Sequence, residues 1–120
     1  MTMCMNIILH ITQGEKWEAA KLSGIYRAES LDSEGFIHCS TPEQIIKVAE
    51  RFFAAQTGLV LLLIDSEQVK SEIRYEMAEV DELFPHIYGA LNIDAVWRVV
   101  DFESEEDGKF RLPQEVKDLM

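Results

Sequence analysis

Apolar residues recur along this chain at two different spacings, which predict a mixture of strands and helices. Residues 5–11 are apolar and rich in β-branched side chains, as an opening strand is. Thr12 and Glu15 then have the spacing of a helix capping box, and Gly24 supplies a helix stop. We therefore expect a strand that runs directly into a first helix over residues 13–23.

Two shorter apolar segments follow the first helix. Residues 25–28 and residues 36–39 each predict a short strand. The polar residues and glycine at positions 32–35 predict a turn between them.

The clearest local pattern in the sequence is a helix start. Thr41 and Gln44 make a second capping box, and Pro42 occupies the first helical turn. Apolar side chains then recur at helical spacing as far as Phe53. These features predict a helix over residues 42–55.

The second half of the chain is richer in strand patterns. Residues 59–64 form an unbroken apolar run that is too short for a surface helix, so they predict a central strand buried on both faces. Residues 66–83 are ambiguous, because one set of their apolar side chains fits a helical stripe while another set alternates as in a strand. A final strand is expected over residues 95–102. Strands and helices thus mix without regular βαβ alternation, which favours an α+β fold.

Length and composition fit one domain. The chain has 120 residues, and 48% of them are hydrophobic, which is enough for a single core. We expect a globular domain over residues 1–104 and an acidic, polar tail over residues 105–120, with a short helical turn after Pro113. No apolar stretch approaches the ~20 residues that span a bilayer, and the N-terminus lacks the features of a secretory signal. We therefore expect a cytoplasmic protein without membrane contact.

Charge and cysteine content exclude several classes of protein. The net charge of -11 excludes a general nucleic-acid binder, because such proteins neutralise phosphates with Lys and Arg. Cys4 and Cys39 are too few for a disulfide framework and form no C-x-x-C pair, so we expect two free thiols. Cys39 has the character of a small core residue rather than a nucleophile. The sequence gives no indication of the oligomeric state.

The three histidines are the best candidates for chemistry. His10, His38 and His86 all lie within apolar or aromatic segments, and an imidazole titrates near neutral pH, so together they predict one shared pocket for a small molecule. His10 and His38 each end a predicted strand just before a helix. A three-histidine metal site is an alternative, but the histidines are far apart in sequence and lack the short spacings of common zinc motifs. We therefore predict no metal ligand.

Several short phrases of this sequence, taken together, resemble those of the bacterial domain-of-unknown-function family numbered 952, from about residue 7 to residue 102. These phrases are Leu9-His10-Ile11-Thr12, Trp17 with Ala19-Ala20, Tyr26-Arg27-Ala28, Gly35-Phe36-Ile37-His38-Cys39-Ser40, Leu61-Leu62-Leu63-Ile64-Asp65, Arg74-Tyr75-Glu76 and Leu83-Phe84-Pro85-His86-Ile87-Tyr88-Gly89.

The resemblance implies a fold similar to that of ADP-ribosyltransferases, with small curved sheets and two main helices around a cleft. It also favours a strand over residues 72–77. In related transferases, the histidine of a His-Gly-Ser/Thr element holds a ribose hydroxyl, and the backbone of its glycine holds the nicotinamide amide. His10-Ile11-Thr12 looks like that element, with Ile11 in place of the glycine that allows close approach of the cofactor. Glu76 is a candidate by position for the catalytic glutamate.

The resemblance and the residue patterns predict a histidine-lined small-molecule cleft, in a transferase-like enzyme that acts on NAD or another nucleotide-like ligand by glycosyl or phosphoryl transfer. The candidate catalytic residues are His38, His86 and Glu76. The candidate ligand-binding residues are His10, Thr12, Ser40, Arg74 and Tyr88. Two alternatives remain at this stage, a non-catalytic binding or interaction module and a metal-dependent hydrolase that uses the three histidines.

Overall fold

Short strands and helices follow one another along the chain with no βαβ repeat. The computed structural model describes residues 6–78 and 82–120. Its strands are β1 (Ile7–Gln13), β2 (Ile25–Tyr26), β3 (Ile37–His38), β4 (Leu59–Asp65), β5 (Glu72–Met77), β6 (Leu83–Tyr88), β7 (Leu91–Asn92) and β8 (Val96–Asp101). Its helices are α1 (Gly14–Ser23), α2 (Glu29–Glu34), α3 (Ile45–Phe52) and α4 (Gln114–Lys117). The strands pair antiparallel in three small sheets, ordered β1-β4-β8, β2-β7 and β3-β6-β5, so the predicted α+β class is confirmed.

The predicted central strand is confirmed as β4, which is buried on both faces. Leu61 and Leu63 pack in a core that includes α3, and Leu62 and Ile64 pack on the opposite face in a core that includes Trp17 of α1. All four of these β4 side chains are fully buried. β4 therefore contributes side chains to both cores of the domain. Burial of one such side chain stabilises the fold by about 2 kcal/mol.

The first sheet and the third sheet meet at one backbone bridge. Leu9 of β1 and Ser40 exchange two N–H to carbonyl hydrogen bonds of 2.8 Å each. The N–H of the preceding residue, Cys39, donates to the carbonyl oxygen of Pro85 in β6 at 3.0 Å. This continuous bonding brings the end of β1 beside β3 and β6, which carry the other two histidines.

The first predicted capping box does not form. β1 continues through Thr12 to Gln13, which is the N-terminal cap residue of α1 and makes no capping bond with its side chain. The prediction was wrong because the Thr12 hydroxyl is instead buried in a tertiary hydrogen bond with the Tyr26 hydroxyl. The predicted stop at Gly24 is confirmed, and this glycine has a φ of 88°.

The middle of the chain departs from its predicted element boundaries. The predicted turn at residues 32–35 is the end of α2, which Gly35 terminates with a φ of 92°. The helix expected over residues 42–55 is shorter, spanning Ile45–Phe52. Half of its capping box is present, since the Thr41 N–H donates to Gln44 Oε1 at 3.0 Å, but the Thr41 side chain makes no cap bond.

The ambiguous segment contains a strand. β5 pairs with β6 over its whole length, so the strand pattern over residues 72–77 is confirmed, and the helical stripe does not apply there. Val80, which was part of that stripe, lies outside the described residues, as do Cys4 and Met5. The predicted final strand is confirmed as β8.

The segment after residue 104 packs against the domain. Phe110 and Val116 are buried in the same core as Leu61, and α4 is the helical turn expected after Pro113. No described helix is long and apolar enough to cross a membrane.

Candidate functional site

His10 is a buried imidazole with a partner at each ring nitrogen. Its Nδ1–H donates to the carbonyl oxygen of His38 at 2.6 Å, and its Nε2 lies 2.8 Å from the Tyr26 hydroxyl. Burial lowers the pKa of His10 from 6.5 to about 4, so the ring is neutral near pH 7. A neutral ring that donates from Nδ1 accepts at Nε2, which makes the Tyr26 hydroxyl its donor.

Tyr26 joins His10 to Thr12. Its hydroxyl lies 3.0 Å from Thr12 Oγ1, and all three side chains are buried. Burial raises the pKa of the Tyr26 hydroxyl, so it stays protonated and able to donate. His10, Tyr26 and Thr12 thus form a neutral hydrogen-bonded triad, which we call the buried triad.

His38 differs from His10 in being half exposed. Its backbone carbonyl holds His10, but its own ring extends outward, where Nε2 contacts Glu34 Oε2 at 3.0 Å. The side chain is 52% exposed. The exposed ring, hydrogen-bonded to a carboxylate, can reach a ligand in either cleft.

His86 is a second buried imidazole, and its partner is a carboxylate. Its Nδ1–H donates to Glu76 Oε1 at 2.9 Å, and the Tyr88 hydroxyl donates to the same oxygen. The hydrogen bonds from Tyr88 and His86 lower the pKa of Glu76, which therefore stays ionised near neutral pH. Phe36 stacks on the His86 ring with a centroid distance of 4.1 Å.

The second nitrogen of His86 has no partner. With Nδ1–H donated to Glu76, Nε2 carries a free lone pair, yet it is shielded from solvent and accepts no hydrogen bond among the residues that the structure describes. A buried acceptor without a donor costs about 1–3 kcal/mol. His86 therefore combines an oriented ring with an unused acceptor.

Arg74 lies on the same face of the third sheet as His86. The two residues are directly opposite one another in the β5–β6 register. The Arg74 guanidinium lies 4.5 Å from the Tyr88 ring centroid and bonds to Glu72 Oε1 at 3.0 Å. Arg74 and Glu76 lie on the same face of β5, but Arg74 pairs with Glu72 rather than with Glu76.

Two clefts lie on either side of His38. The first cleft, of about 810 Å³, is bounded by β1, α1, β2 and the N-terminal end of α2, and the buried triad lines it. The second cleft, of about 550 Å³, lies beside α3 and is lined by His86, Phe84 and basic side chains of that helix. His38 and Ser40 line both clefts.

The three histidines are therefore neighbours but do not share one pocket. His10 contacts the His38 backbone, and the His38 and His86 rings meet edge to face with centroids 5.4 Å apart. His10 lines only the first cleft and His86 only the second. In the described part of the chain, no group of three or more His, Cys, Asp or Glu side chains could hold a metal ion, so this geometry gives the metal-dependent alternative no support.

The remaining predicted residues fall into two places. Ser40 is buried where β1 meets the end of β3, while Arg74 and Tyr88 lie beside Glu76, outside the lining of either cleft. Cys39 is buried, and burial raises the pKa of its thiol, as expected for an inert core residue.

Three side chains that were not selected from the sequence belong to the site. They are Tyr26, Glu34 and Phe36. The signal available for two of them was position, because Glu34 and Phe36 flank Gly35 within four residues of His38. Tyr26 belongs to the family phrase Tyr26-Arg27-Ala28, but its contact with His10 depends on the tertiary pairing of β2 with β7 and has no signal in the sequence.

Comparison with known proteins places this geometry in a family. The family model described as "Protein of unknown function (DUF952)" matches residues 11–99. The chain belongs to this family. The matched residues supply most of the lining of both clefts, whereas His10 lies just before the match.

Solved structures of another protein agree with this assignment. The chain is similar to the X-ray crystal structure of protein CC0527 from Caulobacter crescentus, with a TM-score of 0.84 and 30% identity over 92% of this chain and 98% of that one. It is similar to the solution NMR structure of CC0527 with a TM-score of 0.79 and 31% identity, over 92% and 97% of the two chains. The comparison with curated proteins gives no match.

Proposed function

We propose that this protein is a transferase-like enzyme that binds NAD or another nucleotide-like small molecule in the first cleft, in an arrangement similar to that of ADP-ribosyltransferases. The observation that carries the proposal is the open edge of β1 at Ile11. A ligand amide can add to this edge as a further strand would.

The direction of the Ile11 backbone follows from the strand register. In an antiparallel pair, alternate residues turn their N–H and C=O groups toward the partner strand and away from it. Asn6 and Gly14 bond on the β4 side, whereas Leu9 bonds to Ser40 on the opposite side. Ile11 lies two residues after Leu9 in β1, so its N–H and C=O groups also face away from β4. They lie one step along the strand from the Leu9–Ser40 bridge.

The groups of Ile11 form a donor and acceptor pair beside the first cleft. Among the described residues, no backbone group bonds to them on this side of β1. Buried backbone polar groups are nearly always hydrogen-bonded, so this edge is suited to a ligand carboxamide, which offers both an acceptor and a donor. The Ile11 side chain is packed in the core with Leu9 and Leu61, which leaves the backbone edge as the surface of approach.

The surroundings of the open edge suit the rest of a nucleotide. His10 and Thr12 lie on either side of Ile11 and belong to the buried triad, which we assign to ribose binding together with Ser40. Lys16 and Arg27 line the same cleft in exposed pairs with acidic partners. Because exposed ion pairs are weak, a phosphate can replace those acidic partners.

The proton-transfer groups belong to the side of the site that holds His38. We assign acid or base catalysis to His38, which is exposed and paired with a carboxylate at the wall of the first cleft. His86 and Glu76 form the adjacent dyad that contacts the His38 ring. The Tyr88 hydroxyl donates to Glu76, and the Arg74 guanidinium lies over the Tyr88 ring.

Nicotinamide and nicotinate provide the first test. Nicotinamide matches the donor and acceptor of Ile11, whereas the carboxylate of nicotinate has no donor for the Ile11 carbonyl. We expect nicotinamide to shift the backbone NMR signals of β1 and nicotinate to bind at least about fivefold more weakly. Equal binding of the two compounds, or no response in β1, would contradict the proposal.

Larger ligands test the assignment of the cations. Calorimetry with NAD and ADP-ribose should show weaker binding in Arg27→Gln, while the matched control Arg111→Gln should match the parent chain, because Arg111 lines neither cleft. Release of nicotinamide from NAD then measures turnover, which His38→Gln should abolish without loss of NAD binding.

A non-catalytic binding module is the second candidate. The observation that favours it is the internal satisfaction of His10, whose two ring nitrogens already have protein partners. Binding of NAD without release of nicotinamide, unchanged by His38→Gln, would identify this alternative.

A further inference from the structure

The second cleft has aromatic walls. It is bounded by α3 and by the ends of β3 and β6, and Phe52, Phe53 and Phe84 contribute their rings to its lining. Its volume of about 550 Å³ lies in the range of small-molecule sites. Such walls favour a flat ring, which can stack on them or meet them edge to face.

The charged side chains at this cleft balance one another. Lys47 pairs with Glu82, and Glu34 and Arg51 add one further charge of each sign. The chain as a whole carries a net charge of -11, which repels an anion at long range. Because burial of an unpaired charge is costly, a lining of this kind suits an uncharged ligand.

The Nε2 atom of His86 is an independent observation at the same cleft. The side chain of His86 is only 5% exposed, and its Nδ1–H is fixed on Glu76, so Nε2 presents a lone pair. This atom has no hydrogen-bond partner among the described residues. A ligand hydroxyl that donates to Nε2 would supply the missing bond, whereas an ether oxygen, which has no proton to donate, would not.

We propose that the second cleft binds a small uncharged phenol, whose hydroxyl donates to His86 Nε2 and whose ring lies against the aromatic walls. Nε2 is shielded from solvent in the free protein, so a side chain of the wall turns aside on binding. The half-exposed His38 ring, which meets the His86 ring edge to face, is such a group. This site does not depend on what the first cleft binds.

A matched set of three probes tests each part of the proposal. Para-cresol has the ring and the hydroxyl; para-methylanisole keeps the oxygen but has no O–H to donate, and para-hydroxyphenylacetate adds a negative charge. We expect para-cresol to bind with a dissociation constant in the millimolar range, as small fragments do, and para-methylanisole to bind about fivefold more weakly or worse. Para-hydroxyphenylacetate should bind no more tightly than para-cresol, and tighter binding would contradict the uncharged character of the site.

NMR of the labelled protein shows where para-cresol binds. The ring-nitrogen signal of His86 Nε2 should move with para-cresol and far less with para-methylanisole, and the ring signals of His38 should move as its side chain turns. Backbone signals of Cys39 should move with para-cresol, while those of Thr12 and Ala20, in the first cleft, should not. An equal Nε2 response to both probes, or a response confined to the first cleft, would overturn the proposal.

Variants test the acceptor and the walls separately. His86→Phe keeps a ring against Phe36 but removes the acceptor, so para-cresol and para-methylanisole should bind to it equally. Phe52→Ala should weaken binding of both probes about two- to fivefold, and Leu22→Ala is the matched control because Leu22 is exposed and lines neither cleft. If His86→Phe does not fold, Phe52→Ala still decides, since unchanged binding of para-cresol in that variant rules out the assigned cleft.

Discussion

Removing the Tyr26 hydroxyl tests the buried triad directly. The Tyr26→Phe substitution keeps the ring, which is buried with 3% of its surface exposed, and deletes only the oxygen. That oxygen lies 2.8 Å from His10 Nε2 and 3.0 Å from Thr12 Oγ1. The variant therefore leaves two buried polar groups without their shared partner.

The size of the effect follows from this geometry. An unsatisfied buried polar group costs about 1–3 kcal/mol, and the phenylalanine recovers part of the cost of burying a hydroxyl. We expect a net loss of about 2 kcal/mol in the free energy of unfolding. With an unfolding entropy of about 2.1 cal/mol/K per residue, this loss lowers the melting temperature by about 8 °C in a chain of 120 residues.

Urea unfolding followed by circular dichroism measures this loss, and Tyr75→Phe is its matched control. Tyr75 is 52% exposed, so its variant should stay within about 0.5 kcal/mol of the parent chain. A double-mutant cycle with Thr12→Val should show that the two losses are not additive. Equal stability of the Tyr26 and Tyr75 variants would refute the triad as a stabilising network.

Three further predictions concern pH and stability. The pKa of His10 falls from 6.5 in the unfolded chain to about 4 in the fold. Its contribution to the free energy of unfolding is therefore complete above pH 6.5 and is lost as the pH falls toward 4. Urea unfolding should show a loss of about 2 kcal/mol between pH 7 and pH 5, and this loss should be absent in His10→Asn. His38→Ala should cost less than about 1 kcal/mol in the same assay, since its ring is half exposed and its hydrogen bond to Glu34 lies at the surface; a larger loss would indicate a structural role. Gly89→Ala places a Cβ against Ser71 Oγ at a φ of 154°, so we expect a loss of at least about 2 kcal/mol; Ser71→Gly should restore only part of it, because the backbone strain remains.

The elements predicted best from the sequence are those that carry their own signal. Residues 59–64 are apolar without interruption, and a run of this length is typical of a strand that is buried on both faces. Side chains spaced by four, such as Val69, Ile73 and Met77, fit both an even strand period and a helical turn, so pairing with β6 had to decide the segment. The capping prediction at Thr12 was wrong because the Thr12 hydroxyl is hydrogen-bonded to Tyr26, a residue distant in sequence, and does not cap the helix.

The burial of some candidate residues was predictable from the sequence, but their arrangement was not. Apolar neighbours correctly indicated that His10 and His86 are buried, and that Cys39 is a core residue. Sequence spacing does not show whether a side chain contacts the backbone or the ring of a neighbouring residue. His10 meets the backbone of His38 while His86 meets its ring, and that difference divides one expected pocket into two clefts.

The partners of the three histidines suggest how the two clefts divide recognition and proton transfer. His10 has only neutral oxygen partners and a pKa near 4, so it stays uncharged and orients groups around the open edge of β1. His38 and His86 are each hydrogen-bonded to a carboxylate, Glu34 and Glu76 respectively. Under the proposed function, proton transfer is therefore expected at the wall between the clefts, and recognition of the nucleotide-like ligand in the first cleft. His38→Gln is then expected to affect turnover alone, whereas Tyr26→Phe is expected to weaken ligand binding in the first cleft.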